Sequence, residues 1–279
     1  MTSATSAHLA IALALAAGCA SRASGPQVLS IDDVRVSPVR SGALIADYDR
    51  ALASIAAIME RDLDLPPVRA SLHFYADRDA FRAALEADGY TPAFAADAAA
   101  TLSGIAGYRR VLLNDATLRW LEWPQRVSFL AHELTHTVQY ELSGGRRGSS
   151  DQWLREGFGD WVRLAVLDEL DITPRDRARE MAIARVRDGA RRRPLPPLSD
   201  LVTFEDWVAA IQTSGEDPTY AQALLAVELL IDRHGLPVLV EYFRLFAGSD
   251  DRAANFRASF GERPAEFEAA FRQHLERLL

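Results

Sequence analysis

The amino-acid sequence predicts an α+β fold in which a small mixed β-sheet lies N-terminal to a mainly helical part. Segments with alternating apolar and polar residues, which are typical of strands, occur before residue 114. After residue 124, most segments carry apolar residues at three- and four-residue intervals, which is the spacing of amphipathic helices. The chain has 279 residues, 49% of them hydrophobic, and can therefore bury a sizeable core.

The first element is an apolar, alanine-rich stretch that ends at Ala20; it has the length of an export signal and is too short to span a bilayer. It contains LAAGC at residues 15–19, which resembles the lipobox of bacterial lipoproteins. We therefore expect a signal peptide over residues 1–19, lipidation of Cys19 and a flexible tether over residues 20–27. The resemblance implies an exported protein, anchored to a bacterial membrane by its lipid. Ordinary secretion after cleavage near Ala20 is the alternative.

Charge and cysteine content exclude two classes of protein. The formal net charge is -8, whereas nucleic-acid binding needs a clustered surplus of positive charge, so no nucleic-acid partner is expected. Cys19 is the only cysteine. A single cysteine excludes an internal disulfide framework and a cysteine-rich zinc site in a monomer.

Between Val28, where folding is predicted to begin, and residue 114, helices and strands are predicted to alternate. The helices are predicted from apolar residues at helical spacing, and the strands from period-two alternation. In order, the predicted elements are a helix at 41–62, a strand at 68–75, a helix at 79–87 and one or two strands at 104–113.

The remaining chain is predicted to be helical. A helix over residues 124–142 carries apolar residues at helical spacing and ends at Gly144-Gly145. The later helices are predicted at 154–170, 174–190, 204–211, 217–234, 237–247 and 264–278. We expect residues 28–193 to form a catalytic domain and residues 194–279 to be a helical C-terminal part of the same unit.

The helix at 124–142 contains His132-Glu133-Leu134-Thr135-His136, which is an HExxH motif. Two histidines four residues apart project from one helical face, so that both imidazoles can reach one tetrahedral zinc ion. Glu133 would point to the open coordination position, where it can take a proton from water. The alternative is a surface helix with unrelated histidines.

A catalytic zinc ion needs a third protein ligand, and the sequence offers Glu156 for it. Glu156 lies twenty residues beyond His136, after a glycine- and serine-rich turn. This separation permits a chain reversal and a second, antiparallel helix that returns Glu156 to the two histidines. The predicted metal ligands are therefore His132, His136 and Glu156.

The HELTH motif, together with the later W-L-x-E-G-F, resembles the motifs of the gluzincins, which include thermolysin-like and aminopeptidase-N-like peptidases. Within this group, the short bacterial peptidase-MA-like domains match best. The similarity covers residues 65–247 and implies a zincin-like fold, one zinc ion, and a peptide or protein substrate. It also implies that residues 104–108 form an edge strand that pairs with an extended substrate; the alternative is an ordinary structural strand.

The same resemblance implies roles for two further residues. Asp160 lies one turn after Glu156, where thermolysin-like enzymes carry an aspartate that accepts the outer N–H of a zinc-bound histidine. Tyr220 lies where aminopeptidase-like enzymes carry a tyrosine that stabilises the oxyanion. The alternatives are a solvated helix aspartate and a tyrosine that packs at a helix start. His234 is a rival donor or ligand, better interpreted as a helix C-terminal cap.

Together these patterns predict a zinc-dependent metallopeptidase of the cell envelope. Two other interpretations remain open at the level of sequence. One is a catalytically inactive envelope lipoprotein that keeps the fold and acts as a scaffold or binding module. The other is a zinc hydrolase that acts on a non-peptide amide, because both reactions use the same activated water.

Overall fold

A four-stranded mixed sheet precedes a mainly helical part, which confirms the predicted α+β class. The computed structural model describes residues 25–279; the predicted signal peptide, Cys19 and the first residues of the tether lie outside this range. The strands are β1 (Gln27–Ser30), β2 (Ser71–Tyr75), β3 (Gly104–Gly107) and β4 (Arg110–Asn114). Their order is β1-β2-β4-β3, with β2 and β4 parallel and the other two pairs antiparallel.

Short helices surround the sheet, and longer ones form the rest of the described chain. The first five are α1 (Tyr48–Ala57), α2 (Arg78–Ala87), α3 (Pro92–Thr101), α4 (Asp115–Leu118) and α5 (Trp123–Leu142). The others are α6 (Gln152–Glu169), α7 (Arg175–Arg192), α8 (Phe204–Ser214), α9 (Glu216–His234), α10 (Leu236–Leu245), α11 (Arg252–Phe260) and α12 (Pro264–Leu278).

The predicted helix at 41–62 is shorter than expected. The regular helix starts at Tyr48 because the Asp47 side chain caps it, accepting a hydrogen bond from the backbone N–H of Arg50. A wider, π-type turn over Ile58–Asp62 continues the helix before the chain straightens toward β2. The predicted strand at 68–75 is likewise confined to Ser71–Tyr75, the residues that pair with β1 and β4.

Besides the one-turn helix α4, three elements lie outside those predicted from the sequence: β1, α3 and α11. Strand β1 has only four residues, too few for a clear alternating pattern. Six of the ten residues of α3 are alanine, so the contrast between an apolar and a polar face is weak. Helix α11 has nine residues and is held mainly by tertiary packing of Phe256 and Phe260.

The two faces of the sheet are covered by different helices. Val111 and Leu113 of β4 belong to the main core, which also contains α5, α6, α9 and α10. Leu112 faces the other way and packs with Phe81 of α2 and the alanines of α3 in a second, smaller cluster. The alternation of side chains along β4 therefore separates α5 from α2 and α3.

The helix that carries His132 and His136 packs against the sheet and against the helix that carries Glu156. Helix α5 lies between β3 and α6, and α6 in turn packs against α9. Within residues 25–279, no helix is long and apolar enough to cross a lipid bilayer.

Candidate metal centre

Helix α5 presents both histidines of the HExxH motif to α6. A capping box formed by Glu122 and Gln125 begins the helix, and Pro124 occupies its first turn, where a missing N–H costs no hydrogen bond. The Nε2 atom of His132 lies 3.2 Å from Glu156 Oε2, and the Nε2 atom of His136 lies 3.4 Å from the same oxygen. The ligand atoms of the three residues lie within 4.8 Å of one another.

Two glycines allow α6 to approach its neighbours closely enough to deliver Glu156. A Cβ atom on Gly159 would come within 2.8 Å of the His132 ring, so any larger residue would push the imidazole aside. A Cβ on Gly157 would collide with the backbone of Ala223 on α9. Glycine inside a helix costs roughly 1 kcal/mol relative to alanine, and here the close packing on both sides of α6 offsets that cost.

The second nitrogen of each imidazole has its own acceptor. His132 Nδ1 donates to Asp160 Oδ1 at 3.0 Å, and His136 Nδ1 donates to Gln139 Oε1 at 3.0 Å. Asp160 is also paired with Arg163 at 3.2 Å. These acceptors fix the tautomer in which the Nε2 atom of each neutral imidazole carries the lone pair, so both Nε2 atoms can bind a metal ion once His132 has lost its Nε2 proton.

The second carboxylate oxygen of Glu156, Oε1, has hydrogen-bonding partners of its own, as the histidines do. Its Oε1 atom accepts a hydrogen bond from Gln152 Nε2 at 2.8 Å and lies 3.3 Å from the Arg147 guanidinium. Arg147 also donates to the same Gln139 oxygen that His136 uses, at 3.0 Å. Glu156 is therefore oriented so that Oε2 alone faces the two imidazoles.

Sequence reasoning did not identify Gln139, Arg147 or Gln152. Gln139 follows His136 by three residues and Gln152 precedes Glu156 by four, so helical spacing alone could have singled out both. Arg147 lies on the connection between α5 and α6, and no periodic pattern predicts its position.

The pKa values of the three ligands reflect this arrangement. Burial lowers the pKa of His132, but its hydrogen bonds to Asp160 and Glu156 outweigh burial and raise it to about 10. Burial and the nearby Arg147 lower the pKa of His136 to about 4. Burial acts to raise the pKa of Glu156, but the two histidines together hold it well below its usual range. In the metal-free protein, Glu156 is thus an anion beside one protonated and one neutral imidazole.

Glu133 lies beside the ligands on the same helix and is buried. Burial raises the pKa of its carboxyl to about 7, against the opposing effect of His132 and a hydrogen bond from the backbone of Ala106. A carboxyl group with a pKa near neutrality can accept and return a proton at physiological pH. Its environment therefore suits the role of general base.

The structure also brings Tyr220 to the site, at the start of α9. Its ring centroid lies 6.3 Å from that of His132 and 4.9 Å from that of Trp207. Burial, reinforced by Glu156 and Asp160, raises the pKa of Tyr220 well above its usual value, so the phenol keeps its proton at neutral pH. His234, the rival candidate, lies at the other end of α9 and pairs with Glu262 at 3.2 Å.

Comparison with known proteins assigns the chain to no family. No protein-family model matches it, and no curated protein or solved structure matches it significantly. The metal-binding interpretation therefore rests on the geometry of His132, His136 and Glu156.

A cleft of about 620 Å³ opens beside these residues, and His132, Glu133 and Tyr220 line it. Strand β3 is an edge strand of the sheet, since among the described strands it pairs only with β4, and its first residue, Gly104, lines the cleft. The Asn114 N–H donates a hydrogen bond to the Ser103 carbonyl. In an antiparallel ladder, hydrogen-bonded and non-hydrogen-bonded residue pairs alternate, so the backbone N–H and C=O groups of Gly104 and Ala106 point away from β4. The centre thus combines a potential metal site with the start of an edge strand.

Proposed function

We propose that this protein is a zinc-dependent metallopeptidase, with His132, His136 and Glu156 as ligands of one zinc ion and Glu133 as the general base. The observation that carries the proposal is the convergence of three ligand atoms on one point, beside a buried carboxyl group with a pKa near 7. Catalytic zinc sites of this kind use two histidines, a glutamate and an open position.

The residues fit zinc in type and in spacing. Two ligand atoms that are each about 2.0–2.1 Å from a tetrahedral zinc ion lie about 3.3–3.4 Å from each other. The two distances from Glu156 Oε2 to the histidine nitrogens, 3.2 and 3.4 Å, agree with this value. Imidazole and carboxylate ligands without thiolates also favour zinc over softer metals.

Bound zinc would lower the pKa of a coordinated water molecule and polarise the substrate carbonyl. Glu133 accepts a proton from the attacking water and passes it to the leaving amine. Tyr220 keeps its phenolic proton and donates a hydrogen bond to the oxyanion that forms on the carbonyl. Asp160 and Gln139 hold the imidazoles in the required tautomer.

The edge position of β3 supports a peptide as the substrate. An extended peptide can add as a further strand beside Gly104, which lines the cleft. Because Glu133 lines the same cleft, a peptide held there would have a carbonyl close to the general base. We further propose that the protein acts in the cell envelope, held to a bacterial membrane through a lipid on Cys19.

The proposal is tested with the soluble part of the chain, residues 26–279, loaded with zinc. Zinc content is measured by atomic emission, and a peptide library is digested by the wild type and by Glu133→Gln. We expect one zinc ion per chain in both proteins and hydrolysis by the wild type alone. Glu180→Gln, an exposed residue of α7, is the matched control and should hydrolyse at the wild-type rate.

Three results would contradict the proposal. Hydrolysis by Glu133→Gln at the wild-type rate would exclude Glu133 as the general base. Tight zinc binding by a wild type that cleaves no peptide would instead favour the inactive binding module. Absence of zinc binding would exclude the metallopeptidase and leave the inactive scaffold.

A further inference from the structure

Trp120 is the most exposed large apolar side chain of residues 25–279: its exposed fraction is 81%, and that of the next, Leu44, is 58%. Trp120 lies in the short connection between α4 and α5. Single exposed apolar side chains are common on protein surfaces, but tryptophan is usually buried over most of its large area. The side chain of Trp120 is therefore a candidate contact for a partner outside the described chain.

The connection that carries Trp120 is fixed from two sides. The Arg119 guanidinium donates a hydrogen bond to the Ala76 carbonyl at 2.6 Å. From α5, the Arg126 guanidinium donates to the carbonyls of Leu121 and Arg119 at 2.7 and 3.0 Å. Because the backbone is already held, a partner that binds Trp120 does not have to order this segment.

The apolar residues on either side of Trp120 pack into the fold. Leu118 is fully buried, and the Trp123 ring lies 5.2 Å from the Tyr48 ring, centroid to centroid. The exposure of Trp120 is therefore specific to this side chain and does not come from a loosely packed segment.

The described chain begins close to Trp120. A cavity of about 310 Å³ is lined by Gly25 and by Asp115, the first residue of α4. Ala76, whose carbonyl binds Arg119, lines the same cavity. From Asp115 to Trp120, five residues of helical rise cover about 8 Å. The tether thus enters the fold beside the connection that carries Trp120.

A lipid on Cys19 would keep this part of the molecule near the bilayer. Five residues, 20–24, separate Cys19 from Gly25. The six residue steps from Cys19 to Gly25 span about 20 Å at most when extended. A compact domain of the length of residues 25–279 is roughly 45 Å across. The tether is therefore too short for the domain to turn its opposite side to the membrane.

The charges around Trp120 do not favour an anionic surface. Arg119 and Arg126 use their N–H groups on backbone carbonyls, and Arg119 also pairs with Asp115 at 3.0 Å. Asp77 and Glu122 are exposed nearby. Attraction to the bilayer must then come from the indole ring, which favours the headgroup layer because its ring is apolar and its N–H can donate a hydrogen bond.

We propose that Trp120 is a second membrane contact, which inserts its indole ring among the headgroups of the bilayer that holds the lipid of Cys19. This inference rests on the proposed lipid anchor and not on the peptidase activity. It also orients the cleft. Pro124 and Gln125 are exposed, line the cleft, and follow Trp120 by only four and five residues. The cleft therefore opens close to the lipid surface.

The test uses the mature, lipidated full chain in vesicles of phosphatidylcholine. Brominated phosphatidylcholine quenches tryptophans that lie in the bilayer, and subtracting the emission of Trp120→Ala separates Trp120 from the other four tryptophans. We expect the Trp120 emission to shift to shorter wavelength on vesicles and to be quenched by the brominated lipid. Because the contact is apolar, neither added salt nor added phosphatidylglycerol should increase this quenching.

A relocated tryptophan is the matched control. Tyr108, which is 46% exposed, lies at the turn between β3 and β4, whereas Asp115 follows the other end of β4. The length of β4 separates the two by about 17 Å. Tyr108→Trp combined with Trp120→Ala restores an exposed tryptophan at the far end and should show no quenching by the brominated lipid. Thermal unfolding of each variant checks that it is folded.

The possible results separate this inference from the proposals on which it could depend. Equal quenching of the wild type and Trp120→Ala, or wild-type quenching of the relocated tryptophan, would overturn the membrane contact. A lipidated chain whose Trp120 stays open to acrylamide on vesicles would do the same and would favour a protein partner. Mass spectrometry reports the lipid on Cys19. Its absence would overturn both the anchor and this inference, while the metallopeptidase proposal would stand.

Discussion

Asp160 on α6 accepts a hydrogen bond from His132 on α5, with 3.0 Å between Oδ1 and Nδ1. The bond crosses the interface between the two helices that carry the metal ligands. Asp160 therefore orients His132 from the helix that supplies Glu156, so that one helix sets the geometry of two of the three ligands.

Asp160→Asn should weaken zinc binding about 10- to 100-fold, because the amide no longer fixes the tautomer or raises the basicity of His132. Competition with a chromogenic chelator measures the affinity. Asp79→Asn on the exposed face of α2 is the control and should bind zinc as the wild type does. Equal affinities for wild type and Asp160→Asn would show that the hydrogen bond does not tune the site.

His132 should remain protonated at pH 8 in the metal-free protein, whereas His136 should be neutral, since their pKa values are about 10 and about 4. A histidine with a raised folded-state pKa contributes stability below its unfolded pKa of about 6.5 and loses it as pH rises toward the folded value. The metal-free protein should accordingly lose this contribution between about pH 6.5 and pH 10. Imidazole ¹⁵N shifts report the two charge states, and a neutral His132 at pH 8 would contradict the expectation.

Gly159→Ala should lower zinc affinity, because its Cβ would lie 2.8 Å from the His132 ring and force the imidazole to move. Gly248→Ala is a matched control, with its nearest neighbour at 3.9 Å. Alanine also has the higher helix propensity, so a mere propensity effect would stabilise α6 by roughly 1 kcal/mol. A Gly159→Ala protein that is more stable and binds zinc normally would rule out the steric argument.

Tyr220→Phe should lower kcat by about 10²–10³ if the phenol stabilises the oxyanion, with little change in zinc affinity. The ring itself would stay packed between His132 and Trp207, so the fold should not change. Tyr75→Phe on β2 serves as the control. A wild-type kcat for Tyr220→Phe would leave the tyrosine with a packing role alone.

The metal ligands could be predicted from sequence because helical spacing determines them. His132 and His136 share a face of α5 by their separation of four residues, and Glu156 follows after a reversal of suitable length. The close approach of α6 is also visible in the sequence, as Gly157 and Gly159 beside Glu156, although the atoms that they accommodate are known only from the fold.

The residues that hold the ligands, and the contacts between distant elements, were harder to predict. Arg147 reaches Glu156 only because of the irregular conformation of the connection that carries it. Phe94 and Phe204 are separated by 110 residues in sequence and meet because α3, which itself lacks a strong amphipathic pattern, covers one face of the sheet. Long-range contacts of this kind depend on the packing of whole elements, not on local periodicity.

The connection between α5 and α6, residues 143–151, has a consequence for engineering this protein. Arg155 donates to the main-chain carbonyl of Arg147 at 3.0 Å, and the Arg147 side chain reaches both Glu156 and Gln139. Surface connections usually accept inserted sequence at little cost in stability. Here a longer or shorter connection would carry Arg147 away from its partners, so an epitope tag or reporter inserted between these helices should abolish metal loading while the protein still expresses and folds.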